Sequence, residues 1–305
     1  MVDRPHTQNS LPKQYAVAVI LGSAFSKQPP QGLELQPLPF DTPWGTVTLY
    51  RVINVRKDGD AYIIFRHGLP HTTLPHLVNF RGYAAALKQV NCMALLVTSS
   101  VGVLDANIPL NQPMLVSDLL MPDNRLPNGE LCTMFTDQID LTQCPPSLQD
   151  ALRPGHLVLK NGLFSAHLGA QIRQTLNGQK IEAIRTLIFA YAPGPRTKTS
   201  IENQYWRSLG AQVNSMSVGP EVVLANELEI PTAVLVVGHK RSLGTKHLTS
   251  LETKPSRFAS NYHRDAREMT ETLERSHDQL EKLIIHFIQR VEPTLFDNYI
   301  YRFTV

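Results

Sequence analysis

Residues able to hold an anion gather at four points of this 305-residue sequence, each where an apolar run ends. Leu21-Gly22-Ser23-Ala24 closes the first run and offers backbone N–H groups and the Ser23 hydroxyl. Phe65-Arg66-His67-Gly68-Leu69-Pro70-His71 passes from a strand pattern straight into a guanidinium and two imidazoles. Arg66 has a planar fork of donors suited to phosphate, and His67 adds a donor whose charge responds to its surroundings. Val97-Thr98-Ser99-Ser100-Val101-Gly102 supplies hydroxyls and a glycine, and Asn214-Ser215-Met216-Ser217-Val218-Gly219-Pro220-Glu221 reads as a strand-to-helix joint. Pro220 suits a first helical turn, and the helix dipole there favours an anion. Each segment alone is an ordinary turn, since neither GxGxxG nor GxxxxGK[ST] is present; together they describe a phosphate cradle. A metal held by His67, His71 and His76 fits less well, because the spacing is that of a loop and no carboxylate is near.

These turns need strands to carry them. Short β-branched runs at 15–21, 46–53, 61–65, 93–98, 114–119, 186–192 and 232–237 read as strands, and 78–90, 164–176, 199–209 and 220–228 read as helices. The alternation predicts an α/β fold with a central sheet flanked by helices. One domain spans 15–292, between tails at 1–14 and 293–305. Proline and glycine over 122–162 predict a long excursion from the sheet, and apolar residues at helical spacing over 256–291 predict a closing helix.

Composition narrows the function. Hydrophobic residues make up 42% and charged residues 18%, enough for a substantial core. Net charge is +3 with no dense basic run, which argues against nucleic acid. The polar start has no apolar signal core, and no segment approaches a membrane span. Cys92, Cys132 and Cys144 form no CxxC pair, as expected of reduced thiols in a soluble cytoplasmic protein.

From about Tyr15 to Ser242 the order of segments resembles the purine nucleoside phosphorylase and methylthioadenosine phosphorylase family. The matching stretches include Asp41-Thr42-Pro43-Trp44-Gly45, Arg66-His67-Gly68, Val78-Asn79-Phe80-Arg81, Val97 to Gly102, Gly194-Pro195-Arg196, and Met216-Ser217 followed by Pro220-Glu221-Val222-Val223. The nearest likeness is to the methylthioadenosine and methylthioinosine branch. The resemblance implies that phosphate sits among Ser23, Arg66, His67, Ser99, Ser100 and Ser217, with Met216 and His71 at the sugar. It implies a single-domain nucleoside phosphorylase fold, a homotrimer, and pentosyl transfer from a nucleoside to phosphate, with phosphate as co-substrate and no metal or organic cofactor. In such a reaction the sugar passes through an oxocarbenium-like state while the departing base accepts a hydrogen bond or proton.

The base end departs from the family's pattern. Gly238 stands where the family places an Asp or Asn, followed by His239 and Lys240. Thr197 and Lys198 stand where a base-stacking residue and a base-reading Glu or Ser are usual. Three readings follow. Lys198, His239 or Lys240 serves an acidic or carbonyl-rich base, in a phosphorylase or in a nucleoside hydrolase acting on an unusual base; the chain is an ordinary purine or methylthionucleoside phosphorylase using shifted residues; or it binds phosphate and nucleoside without catalysis.

Overall fold

The structure is a computed structural model that describes residues 12, 14–25, 28–136, 139–181, 187–242 and 262–303, with the side chains of the last helix described from 276 onward. Most of the 1–14 tail, the stretch 243–261 with the start of the expected closing helix, and the side chains of Met269 and Leu273 lie outside the described residues. In chain order the strands are β1 (Ala16–Leu21), β2 (Leu35–Phe40), β3 (Val47–Val52), β4 (Asp60–Phe65), β5 (Cys92–Val103), β6 (Pro113–Leu115), β7 (Asp118–Leu120), β8 (Gly155–Val158), β9 (Ile188–Tyr191), β10 (Val213–Ser215), β11 (Thr232–Arg241) and β12 (Tyr299–Arg302). The helices are α1 (Phe80–Gln89), α2 (Pro146–Gln149), α3 (Ala166–Gly178), α4 (Ser200–Ser208), α5 (Gly219–Glu227) and α6 (Tyr262–Arg290).

The expected α/β architecture is present: a ten-stranded mixed sheet runs β2-β3-β4-β1-β5-β10-β9-β7, with β11 also on β5 and β6 on β11. The run at 114–119 breaks into β6 and β7, and β11 continues past Val237 through Gly238, His239 and Lys240. β2 is not visible as a strand in the sequence because Leu35-Gln36-Pro37-Leu38-Pro39-Phe40 holds two prolines; it forms at the sheet's edge, where a missing N–H is tolerated.

All six residues of β1 are buried, as a strand covered on both faces must be. Ala16, Ala18 and Ile20 face a core completed by Ala85, Leu87, Val222 and Leu224 of α1 and α5. Val17, Val19 and Leu21 face the opposite core, built with Leu168 and Ile172 of α3 and Ile284, Phe287 and Ile288 of α6. The excursion at 122–162 and the C-terminal tail meet each other: β8 and β12 pair antiparallel in a second, two-stranded sheet.

Strand register is what assembles the site. Leu21 lies beside Phe65 in the β1–β4 pair, and Ile20 lies beside Val97 in the β1–β5 pair. The residues one step further on are therefore neighbours: Gly22 and Arg66, just beyond the ends of β1 and β4, and the Thr98-Ser99 pair, which lies inside β5, since that strand runs on to Val103 and does not end at Thr98 as its sequence suggested. β5 then leaves β1 and pairs with β10, bringing Asn214 beside Gly102. This change of partner at the carboxyl ends of parallel strands is where α/β sheets open a ligand crevice.

The excursion is tied to the core through a buried carboxylate. Glu227, at the end of α5, accepts hydrogen bonds from Met134 N at 2.5 Å and from Thr133 Oγ1 at 3.0 Å, while Arg81 of α1 donates to Thr133 O at 2.9 Å. Burial raises the Glu227 carboxyl from 4.5 to about 7, against the lowering effect of those bonds. A raised native value means that the folded state holds its proton longer than the unfolded chain does. The associated stability is complete below about 4.5 and is lost as pH rises through about 7. Melting temperatures between pH 4.5 and 8 should fall with pH more steeply in the wild type than in Glu227→Gln, and parallel curves would refute this assignment.

Candidate active site

Arg66, the first residue beyond β4, is 1% exposed although it carries a permanent charge. Its Nε donates to Glu221 Oε1 in a short ion pair and its Nη1 donates to Thr98 O at 3.0 Å. Nη2 is buried with no partner. A buried donor without an acceptor costs about 1–3 kcal/mol, more when charged, which makes Nη2 a candidate contact for an anion. Gly22 leaves room for this arrangement: a Cβ there would stand 3.2 Å from Arg66 Nη1 and 3.0 Å from Thr98 O.

Three hydroxyls cluster nearby in the fold, Ser99 from within β5, Ser215 from the end of β10 and Ser217 from just beyond it. Ser99 Oγ lies 3.1 Å from Ser217 Oγ and 3.3 Å from Ser215 Oγ, and the latter two are 3.5 Å apart. Ser99 and Ser217 are buried, and a hydroxyl cluster can turn its protons to suit an anion. The turn after Ser217 is strained. Val218, a β-branched residue with no exposure, has φ 76° and ψ −55°, a conformation that costs about 1–3 kcal/mol and persists only where neighbours enforce it. Glu221 is one of those neighbours, accepting a 2.5 Å hydrogen bond from Val218 N at the start of α5.

His67 is 9% exposed and its ring stacks on His71, with centroids 4.5 Å apart. Burial, followed by the charge of Arg66, lowers its pKa to about 4, so it is neutral at neutral pH. Nδ1 donates to Thr73 O at 2.9 Å, which leaves Nε2 as a lone-pair acceptor. The surroundings thus set the charge that the sequence left open, and the neutral imidazole can offer Nε2 to a protonated oxygen. Ser23 is exposed in a short 3-10 turn beyond β1. The Ser100 carbonyl accepts from Ser99 Oγ at 3.1 Å.

Met216 is half-buried and lies against Gly194, so closely that a Cβ on that glycine would overlap its Sδ. The Gly194-Pro195-Arg196 turn therefore approaches the strand end carrying Ser215 and Ser217. Arg196 is occupied by Glu202, with Nη1 and Nη2 donating at 2.9 and 2.6 Å, and Thr197 is exposed. Lys198 is half-buried; burial, with repulsion from Arg196 and Lys240, lowers its pKa to about 8. Lys198 and Lys240 thus lie within electrostatic reach of each other, and Lys240 is exposed.

Gly238 has a steric reason for being glycine. A Cβ would fall 2.5 Å from Val103 Cγ2 and 3.3 Å from Pro109 O, so position 238 faces packed protein and has no room for a base-reading side chain. His239 is half-buried, with burial the main cause of a lowered pKa, and its Nδ1 is buried without a partner. Arg241 is spent on backbone, donating to Asp105 O at 3.0 Å and Ile108 O at 2.5 Å.

Sequence reasoning passed over Ser215 and Glu221 as individual site residues. Ser215 lies two positions before Ser217 near a strand end, the spacing that returns to one face. Glu221 is the third residue of its helix, where a Glu characteristically accepts from the N-cap N–H.

The fold and site define an α/β protein in which a buried arginine and three clustered serine hydroxyls meet among the central strands. A model of the phosphorylase superfamily matches residues 16–288. A probable S-methyl-5'-thioinosine phosphorylase of Methanopyrus kandleri is 31% identical over 223 residues, covering 70% of this chain and 74% of its own. A 6-oxopurine nucleoside phosphorylase of Pyrococcus furiosus is 27% identical over 253 residues, covering 77% and 84%. Among solved structures, methylthioadenosine phosphorylase from Schistosoma mansoni superposes with a TM-score of 0.68 at 17% identity, covering 90% of each chain. The chain belongs to the phosphorylase superfamily as a divergent member, and it is an enzyme of that family. Among the described residues no helix is long and apolar enough to cross a membrane.

Proposed function

We propose that this enzyme cleaves the N-glycosidic bond of a purine nucleoside or 5'-methylthionucleoside with inorganic phosphate, and that its base end favours carbonyl-bearing bases. The observation that carries the reading is Arg66, buried and held on two sides, with Nη2 unpartnered and Nη1 on the carbonyl of Thr98, the residue before the Ser99 whose hydroxyl clusters with those of Ser215 and Ser217. Phosphate bound there attacks the anomeric carbon of a sugar lying against Met216. The glycosidic electron pair leaves with the base, and the products are free base and sugar 1-phosphate. The anion beneath the sugar stabilises the developing oxocarbenium charge.

At the base end the available groups are Lys198, Lys240 and His239. Lysines only donate, so they meet the oxygen of a 6-oxopurine and oppose the 6-amino group of an adenine, which also donates. A lysine near 8 can also deliver a proton to the departing base close to neutral pH. The reaction as written needs no metal or organic cofactor. We further propose a homotrimer, by analogy with the family, and a cytoplasmic enzyme, consistent with three buried cysteines that are all free.

Release of free base from inosine, guanosine, 5'-methylthioinosine and 5'-methylthioadenosine, with and without phosphate, tests this reading. Phosphate-dependent release is expected, with oxo substrates ahead of their amino counterparts by about tenfold or more in kcat/KM. Release without phosphate would identify a hydrolase, and phosphate binding with no release from any substrate would identify a binding protein.

A further inference from the structure

We propose that Glu221 is a positioning residue for phosphate: its one carboxylate clamps Arg66 and the strained 215–218 turn into a single unit. The proposal rests on the reading of Arg66, Ser99 and Ser217 as phosphate ligands. The two oxygens of Glu221 have separate duties. Oε1 takes the Arg66 Nε–H, and Oε2 takes the Val218 N–H at 2.5 Å. The first bond, with that from Nη1 to Thr98 O, fixes the guanidinium plane so that Nη2 is the nitrogen left for a ligand. The second holds the N–H of a β-branched residue at φ 76°, the residue that directly follows Ser217.

The two halves of the cradle come from distant parts of the chain. Arg66 stands at the end of β4 and Ser217 just beyond β10, and within this pair of segments the contact that joins them is the Glu221 carboxylate, which lies 155 residues from Arg66. Both side chains of the ion pair are almost wholly buried, at 1% and 3% exposed, so solvent screens it little. The arrangement also balances charge. Arg66 is neutralised by Glu221 and His67 is neutral, so the cradle would hold its anion by aimed donors and not by excess positive charge.

Glutamine at 221 keeps the shape but gives one of the two sites a donor facing a donor. Either Arg66 or Val218 N then loses its acceptor. The test titrates the full-length protein with inorganic phosphate, read by calorimetry, for wild type, Arg66→Ala, Glu221→Gln, Glu221→Asp and the double variant Val218→Gly/Glu221→Gln. Phosphate affinity is expected to fall about tenfold or more in Glu221→Gln. Glycine adopts φ near 76° without strain, so Val218→Gly should relieve the need for the clamp on the turn and recover part of that loss. A merely structural glutamate would lower the melting temperature without this rescue.

The outcomes separate the two levels of the argument. Loss of phosphate affinity in Arg66→Ala with affinity unchanged within about twofold in Glu221→Gln overturns the positioning role and leaves the phosphate site standing. No phosphate binding by the wild type overturns both. Where Glu221→Gln does not fold, Glu221→Asp decides: its shorter side chain keeps the charge and cannot span both partners, so wild-type affinity in that variant also overturns the proposal.

Discussion

Arg66→Ala should remove phosphate-dependent turnover, lowering kcat/KM by about 10²–10³-fold, the range seen when one preorganised donor to a reacting anion is lost. The expectation follows from what Arg66 does with its nitrogens. Nε and Nη1 are committed to Glu221 and Thr98 O, and the guanidinium is 1% exposed, so the remaining Nη2 is held ready without a partner of its own. The same substitution should cost about 3–5 kcal/mol of stability, because it leaves the Glu221 carboxylate buried without its counter-charge. Adding Glu221→Ala should recover part of the stability and none of the phosphate binding, which distinguishes lost ligand contacts from general damage. Urea unfolding paired with phosphate titration measures both quantities. Phosphate affinity retained within twofold in a folded Arg66→Ala protein would remove Arg66 from the site.

Gly238→Asp should be among the most damaging single changes in the chain, by about 3 kcal/mol or more, and should not create a base-binding acid. The place where an acid is usual in the family resemblance is, in this structure, filled from the other side. Its Cβ direction runs into Val103 Cγ2 at 2.5 Å and toward Pro109 O and Leu110 Cδ2 at 3.3 and 3.5 Å. A carboxylate there would be forced into close packing and would face a carbonyl oxygen, which repels it. Gly238→Ala should show the steric part alone, about 1–3 kcal/mol. If Gly238→Asp folded with wild-type stability and gained turnover of adenine nucleosides, position 238 would be open to the base after all, and the assignment of that end to Lys198, His239 and Lys240 would be wrong.

These two positions show how far each level of description reaches. Arg66 was legible from its neighbours in sequence, because a fork of donors placed directly after an apolar strand pattern suits an anion; the structure adds the buried acid Glu221 and leaves Nη2 without a partner. Gly238 was legible only as a gap in a pattern. Whether that gap opens on a ligand or on packed side chains depends on Val103, Pro109 and Leu110, and no local signal contains that distance.

The local pattern determined the α/β class, five of the helices, the strands β1, β3, β4, β9 and β11 with the first half of β5, and the turns at Gly22, Arg66 and Ser217, since burial on two faces demands apolar strands. It did not determine β2, whose prolines are tolerated because it is an edge strand, or the pairing of β8 with β12 across more than a hundred residues. Tertiary structure alone decided that Glu221 joins Arg66 to the Ser217 turn, that burial and Arg66 lower the His67 pKa to about 4, and that Lys198 and Lys240 lie within electrostatic reach of each other. Each of these is set by the distance and burial of groups from separate strands, and those quantities exist only once the sheet has brought the strands together.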